Sequence, residues 1–550
     1  MKKVLAVVLV LILAMSLLAG CGGSNSGGES SGGGESSGGE ATAEKVINYS
    51  NGPQPEALDP ISSNYLAYST VEYNLWNGLA RIGANGVAEP ACAESYDISE
   101  DGLTWTFHLR DGLKWSDGAD LTATDFAESF RYHLEPEVNA RGYSLYLYVK
   151  NAEKFHNGEC DWEEVGYKAP DESTVVITLE NPCTYFLDIA CTYVPYRLDI
   201  IEKDPNWAKN PETYITNGPF RVVKIEDQSG FYCEKNPYYY DADNVKIDKL
   251  NFLWIDDAAV ELASYKNGTI NVSDNLSPES EKTYADSPEL FKGERIGVRY
   301  LTINTEHIPD VRVRQALAYA IDRDMLLTIT GEPHNPATAF VPYGIHWGDE
   351  QWRTVADKKN GYEQVTFDLE KAKKLLEEAG YPNGEGLPTY TYICYNTNKA
   401  RAQALQAMWK EIGVNIEIVG YESSTYWDVF DTEDWDIGDD GWTGDFDDPN
   451  TNLFLWEEYR EVRDDGTLQD ARWHNENALE YDRLLKETYK ETDYETRMEL
   501  FREAEKILTT DMPAIPIYFY NDTILMKPEV TGVVKSYLGH TYFAFADIEQ

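Results

Sequence analysis

Hydrophobic positions recur along this chain with two periods, two and about 3.6 residues, in many short segments. Val46-Ile47-Asn48-Tyr49-Ser50 reads as a strand, and the stretch from Pro53 to Pro60 is a proline-punctuated turn. Residues 71–79 predict a helix that closes on glycine. Leu103, Trp105, Phe107 and Leu109 alternate with polar residues after an Asp101-Gly102 turn, the pattern of a half-buried strand. Thr122 and Asp125 form a capping-box pattern ahead of Phe126, Ala127 and Phe130. Residues 182–191 read as a helix. Asp368 caps a helix over 369–379 whose apolar residues fall at three- and four-residue steps, and Gly380 ends it. A helix over about 400–412 closes at Gly413, after which Val414, Ile416 and Ile418 alternate as a strand. Residues 497–508 form a last amphipathic helix, apolar at Met498, Phe501, Ala504, Ile507 and Leu508. Helices and strands interleave throughout, so the fold class is α/β.

The stretch from Asp436 to Pro449 breaks these patterns. It holds six aspartates, at 436, 439, 440, 445, 447 and 448, among the rings of Trp442 and Phe446. Gly438 and Gly441 lower its helix propensity, so Asp436 to Trp442 reads as a short strand that turns at Thr443-Gly444 and stops by Pro449. The carboxylates then sit at a strand end. Two readings follow: a solvated acidic loop in an acidic protein, or a socket in which Trp442 and Phe446 exclude water around one carboxylate that attracts an ammonium group.

The first residues are of a different kind. Lys2-Lys3, an apolar run from Val4 to Leu13, and Leu18-Ala19-Gly20-Cys21 make a signal peptide over residues 1–20 with a cysteine at the cut. Cys21 then becomes the acylated first residue of a lipoprotein, and two acyl chains give stable anchoring. Residues 22–40 contain only Gly, Ser, Glu and Asn25, so residues 21–43 form a tether, with a reach of about 24 Å for its low-complexity part. It lacks the Lys-Ser/Thr ending of a phosphate loop.

Composition narrows the partners. From about residue 44 the chain is that of a globular protein, 42% hydrophobic and 13% aromatic overall, long enough for two or three domains. A formal charge of -48 argues against nucleic acid or an anionic membrane surface and suits a cationic or neutral ligand. Six cysteines besides Cys21 form no CxxC motif, and buried free thiols are expected. The eight histidines include no i, i+4 pair, and there is neither a GxSxG nor an HExxH motif. No enzyme activity, cofactor or metal is expected. A carboxylate-dependent secreted glycosidase is a remote alternative, and the acidic stretch lacks EF-hand spacing.

Several blocks resemble the family 5 extracellular solute-binding proteins of ABC importers, of the oligopeptide-binding type. They are Leu58-Asp59-Pro60, Asp101 to Arg110 with Trp115-Ser116-Asp117-Gly118, Thr216-Asn217-Gly218-Pro219-Phe220, Val311 to Leu317 with Ile321-Asp322-Arg323, Trp442-x-x-Asp445-Phe446-x-Asp448-Pro449, and Pro513-Ala514-Ile515-Pro516. The resemblance spans residues 46 to about 545. It implies a two-lobed periplasmic-binding-protein-like fold of the Venus-flytrap type with an additional inserted domain. One lobe would comprise 44–76, 190–297 and 520–550, the inserted domain 77–189, and the opposite lobe 298–519. It implies that Asp445 pairs with the α-ammonium of a peptide in the interlobe cleft, with Trp442, Thr443, Gly444, Phe446, Asn64 and Tyr143 around the ligand. Positions that would carry basic residues for the ligand carboxylate are here Ala318, Phe430 and Asp439, which leaves Arg401 as the basic residue in a contact position. A peptide whose carboxylate is loosely held, or one rich in Lys or Arg, suits this pattern. The implied role is a monomeric, lipid-anchored binding protein on the outer face of a bacterial cytoplasmic membrane, delivering oligopeptides to the transmembrane subunits of an ABC permease. The alternative is a relative carrying an oligosaccharide, an amino-acid conjugate or a metal chelate.

Overall fold

In the computed structural model the described residues are 43–50, 52–55, 58–62, 66–274, 276–359, 364–457, 459–462, 468–470 and 472–549. The signal segment, Cys21, residues 22–42 of the tether and Asn64 lie outside them.

An eleven-stranded sheet organises the chain. In one part of it the first strand, Val46–Ser50, pairs in parallel with Lys249–Leu253 and with Val272–Ser273, burying Ile47 and Tyr49. In the other part Thr389–Tyr395, the helix Lys399–Lys410 and Asn415–Tyr421 make a parallel β-α-β unit, and Ile437–Thr443 joins in parallel beside Thr389–Tyr395. Two long strands, Leu290–Ile303 and Ala514–Met526, lie between the parts in the strand order. Their antiparallel ladder runs from Leu290 opposite Leu525 to Glu294 opposite Asn521, breaks, and resumes at Val298 opposite Phe519. From Gly297, within the break, onward Leu290–Ile303 takes up Ile437–Thr443 as its second neighbour. Together with a separate four-stranded antiparallel sheet, this is the mixed α/β, two-lobed fold with an added domain.

That smaller sheet contains the alternating strand, Thr104–Leu109, whose Trp105, Phe107 and Leu109 are buried as the period of two requires. The helix Ala123–Leu134 packs against it. Its start is the expected capping box: Asp125 Oδ2 accepts the Thr122 N–H at 2.8 Å, a type of contact worth about 1 kcal/mol. Phe446, more than 250 residues further along the chain, is buried in the same core.

Three helices differ from the sequence reading, each because a distant or local partner competes. The first runs over Leu66–Leu75 instead of 71–79, since the Leu75 carbonyl accepts the Gly218 N–H at 2.8 Å instead of continuing the helix. The last begins early, at Tyr494, because Asp493 caps it by accepting the Thr496 N–H, and it reaches Asp511. The helix read over 182–191 shrinks to Phe186–Ala190. Residues 183–185 are held out of it by long-range contacts, Thr184 accepting from Arg497 at 3.2 Å and Tyr185 stacking on Phe446. All six described cysteines are free thiols, and five of them are buried.

Candidate functional site

Side chains alternate along Ile437–Thr443, and its two central aspartates go to opposite faces. Asp439 is 0% exposed and lies between two guanidinium groups, 2.9 Å from Arg299 Nε and 3.0 Å from an Arg401 terminal nitrogen, with Asn398 Nδ2 at 2.8 Å. Burial alone would push this carboxyl up, but Arg299 and Arg401 outweigh it and hold it below the usual carboxylate range. Arg401 also bonds Glu332, so two cations face two anions and the cluster is close to neutral. On the other face Asp440 accepts from the Tyr300 hydroxyl at 2.9 Å.

The chain turns immediately past the carboxyl end of this strand. A side chain at Gly444 would place its Cβ 2.5 Å from Ile296 Cγ2 and 2.7 Å from Thr451 Cγ2, so only glycine lets the turn seat this closely. The Asp445 N–H donates to Thr451 Oγ1 at 2.8 Å, which fixes the residue that carries the next carboxylate. Phe446 lies flat on Tyr185, ring centroids 4.0 Å apart and planes at 8°, with Tyr148 edge-on at 6.5 Å. Asp447 accepts the His346 backbone N–H at 2.8 Å and pairs with the His346 ring at 2.6 Å, a bond that raises the imidazole above its ordinary pKa. Asp448, 3% exposed, is clamped by both terminal nitrogens of Arg497, one of them at 3.0 Å.

A cavity of about 370 Å³ opens at this turn, a size suited to part of a small ligand. Residues 144–148 and 180–185 form one side of it. Trp442, Asp445, Phe446, Asn450, Phe454 and Glu457, with Thr488, Tyr489 and Arg497, form the other. Asp445 is the exposed aspartate of the six. Asp436 also has structural partners, accepting from the Thr391 N–H at 2.6 Å and bonding His307 at 2.9 Å. The two readings of the acidic stretch therefore separate by residue. Asp436, Asp439, Asp440, Asp447 and Asp448 serve the fold, and Asp445 faces the cavity. Trp442 and Phe446 do not seal it from water in the empty protein; that exclusion has to come from whatever fills the cavity.

The sequence-predicted residues are thus only partly gathered. Trp442, Asp445 and Phe446 share the cavity, and Gly444 shapes the turn. Thr443 Oγ1 accepts from Arg295 at 2.7 Å. Tyr143 stacks on His156 at 4.5 Å, one residue before Ser144, which lines the cavity. Arg401 belongs to the Asp439 cluster. Tyr148, Tyr185, Asn450, Glu457, Tyr489 and Arg497 were not foreseen. Arg497 had left a signal: it lies four residues before Phe501, so it puts a charge on the apolar stripe of its helix.

Among the described residues no helix is long and apolar enough to cross a membrane, and no group of three His, Cys, Asp or Glu could hold a metal ion. The profile of the bacterial extracellular solute-binding proteins, family 5 Middle, matches residues 87–462. The oligopeptide-binding protein OppA of Bacillus subtilis is 33% identical over 99% of each chain. Heme-binding protein A of Haemophilus influenzae is 30% identical over 87% of each chain. The crystal structure of Haemophilus influenzae OppA in complex with the peptide RPPGFSPFR superposes with a TM-score of 0.70 at 27% identity, covering 92% of this chain and 99% of the other.

Proposed function

Because this chain belongs to the bacterial extracellular solute-binding proteins of family 5, we propose that it captures extended oligopeptides in its cleft and delivers them to the transmembrane subunits of an ABC importer. One observation carries the peptide reading: Asp445, exposed just past a strand end, is presented to a cavity walled by aromatic and apolar side chains. A ligand filling that space displaces water, and the carboxylate then meets an α-ammonium group in a low dielectric, where a charge-assisted hydrogen bond is strong. Peptide main chain can be held as an added strand is, with side chains in wet pockets that tolerate many sequences. Arg401 is matched by Asp439 and Glu332 and offers the ligand carboxylate no net positive charge. The carboxyl end is therefore held loosely, which suits ligands of several lengths.

In this reading the lobes are 44–76 with 190–297 and 520–550 on one side and 298–519 on the other, with 77–189 inserted, and Asn64 and Tyr143 lie along the ligand. A ligand that touches both lobes favours the closed form by its differential affinity, and the permease reads that closure. Native mass spectrometry of the purified protein tests the ligand class. A ladder of peptide masses is expected; a sugar or a chelate as the retained molecule would replace the reading.

The protein acts as a monomer held outside the cytoplasmic membrane through acylated Cys21, an assignment that rests on Leu18-Ala19-Gly20-Cys21. Cys21→Ala is expected to move the protein from the membrane fraction to the medium, or to leave its leader uncut. Equal solubility of wild type and variant after export would exclude the anchor.

A further inference from the structure

The cavity beside Asp445 has a second acidic wall that an α-ammonium group does not use. Glu457, directly after the helical turn Phe454–Trp456, lines it together with Tyr489 and Glu180. The Tyr489 hydroxyl donates to Glu457 Oε1 at 3.0 Å, which braces the carboxyl. The charge around the cavity is lopsided. Among the described residues that line it, Arg497 is the one cation beside Asp445, Glu180 and Glu457, and its guanidinium is engaged by Asp448 at 3.0 Å. Lys486, near Glu457, is 67% exposed and pairs with Asp482 at 3.6 Å. Burial pushes the Glu457 carboxyl up to about 7, with Asp482 adding to the rise and the Tyr489 hydroxyl and Lys486 opposing it.

Two other groups on these walls point independently to a ligand. Asn450 is 5% exposed and lines the cavity, yet its Oδ1 accepts no hydrogen bond. The buried Trp442 indole N–H, on the same cavity, donates none. Buried polar atoms are almost always paired, and a molecule in the cavity that brings both donors and acceptors would pair these. The first residue of a peptide does so. Leu145, Leu147, Pro182 and Phe454 add the apolar surface along which the methylenes of a long cationic side chain can lie.

We propose that Glu457, braced by Tyr489, is a second cation subsite that receives the side chain of a basic first residue, so that the preferred ligands of this protein are peptides beginning with lysine or arginine. The inference rests on the reading that Asp445 holds the α-ammonium group. Titration calorimetry with Lys-Ala-Ala-Ala, norleucine-Ala-Ala-Ala and Ala-Lys-Ala-Ala, on wild type and on Glu457→Gln, tests it. The lysine-first peptide is expected to bind the wild type about tenfold or more tightly than its norleucine analogue, and the variant is expected to bind those two alike. Circular dichroism and thermal melting of both proteins serve as the folding control. If all three peptides bind the wild type equally, or the lysine advantage survives Glu457→Gln, the subsite is wrong while the ammonium site stands. A variant that loses the lysine and norleucine peptides equally overturns the subsite too, because Glu457 then serves the fold. If no peptide binds the wild type, the peptide reading itself fails and this inference with it.

Discussion

Asp445→Ala weakens a peptide with a free amino terminus about a hundredfold, close to 2.8 kcal/mol at 1.4 kcal/mol per decade. The magnitude follows from the environment. Breaking a fully buried ion pair from one side costs about 3 to 5 kcal/mol, because the remaining charge stays desolvated. Asp445 is exposed until a ligand arrives, so the loss belongs near the lower end of that range. Acetylating the peptide amine should cost the wild type a similar amount and the variant much less, since both changes remove halves of one interaction. The neighbouring aspartates are poor controls for this experiment, because Asp447 holds His346 and Asp448 holds Arg497, and their alanine variants disturb the walls of the cavity. The acetylated peptide is the cleaner one. A calorimetric cycle in which the two losses simply add would remove Asp445 from the site.

Asp439→Ala should be the most destabilising change in the acidic stretch, with no direct loss of ligand contact. It would remove the carboxylate that Arg299 and Arg401 share and leave Glu332 alone against two cations, in a place where Asp439 itself is 0% exposed. The cost is again about 3 to 5 kcal/mol, which at about 2.1 cal/mol/K per residue lowers the melting temperature by about 3 to 5 °C for a compact unit spanning Glu44–Gln550. The wild-type contribution depends on pH in a definite direction. The folded carboxyl is held below its ordinary value, so its stabilisation is fully present above the unfolded pKa of about 3.9 and is lost as pH falls through the folded value. Melting curves of wild type and variant should converge only in acid. A variant that melts with the wild type near neutral pH would show that Arg299 and Arg401 do not need Asp439.

Much of the fold was legible because its signals are local. The capping box at Thr122, the alternation around Trp105, and the Asp368 cap with its Gly380 stop each involve residues within a few positions of one another. The strand end at Thr443 was legible for the same reason. Which of six aspartates would face the cavity was not, since the partners that place the others include Arg299, His307, His346, Thr391, Arg401 and Arg497, and no local pattern brings those to one strand. Helix ends that depend on distant acceptors, as at Leu75 and Tyr185, were misplaced by a few residues on the same account. Glu457 gave no signal at all, being one of two adjacent glutamates in an acidic chain.

The interrupted ladder between Leu290–Ile303 and Ala514–Met526 has a mechanical consequence. A sheet resists bending through its row of cross-strand hydrogen bonds, and between Glu294 and Val298 the register with Ala514–Met526 shifts. The strands flanking the interruption are firmly paired, to Val272–Ser273 on one side and to Ile437–Thr443 on the other, so deformation concentrates in a crease a few residues long. Arg295 sits in that crease, reaching Thr443 at 2.7 Å and Asp522 at 3.4 Å. In the proposed reading, closure of the lobes on a ligand would bend the sheet at this register shift, where fewer ladder bonds have to be distorted.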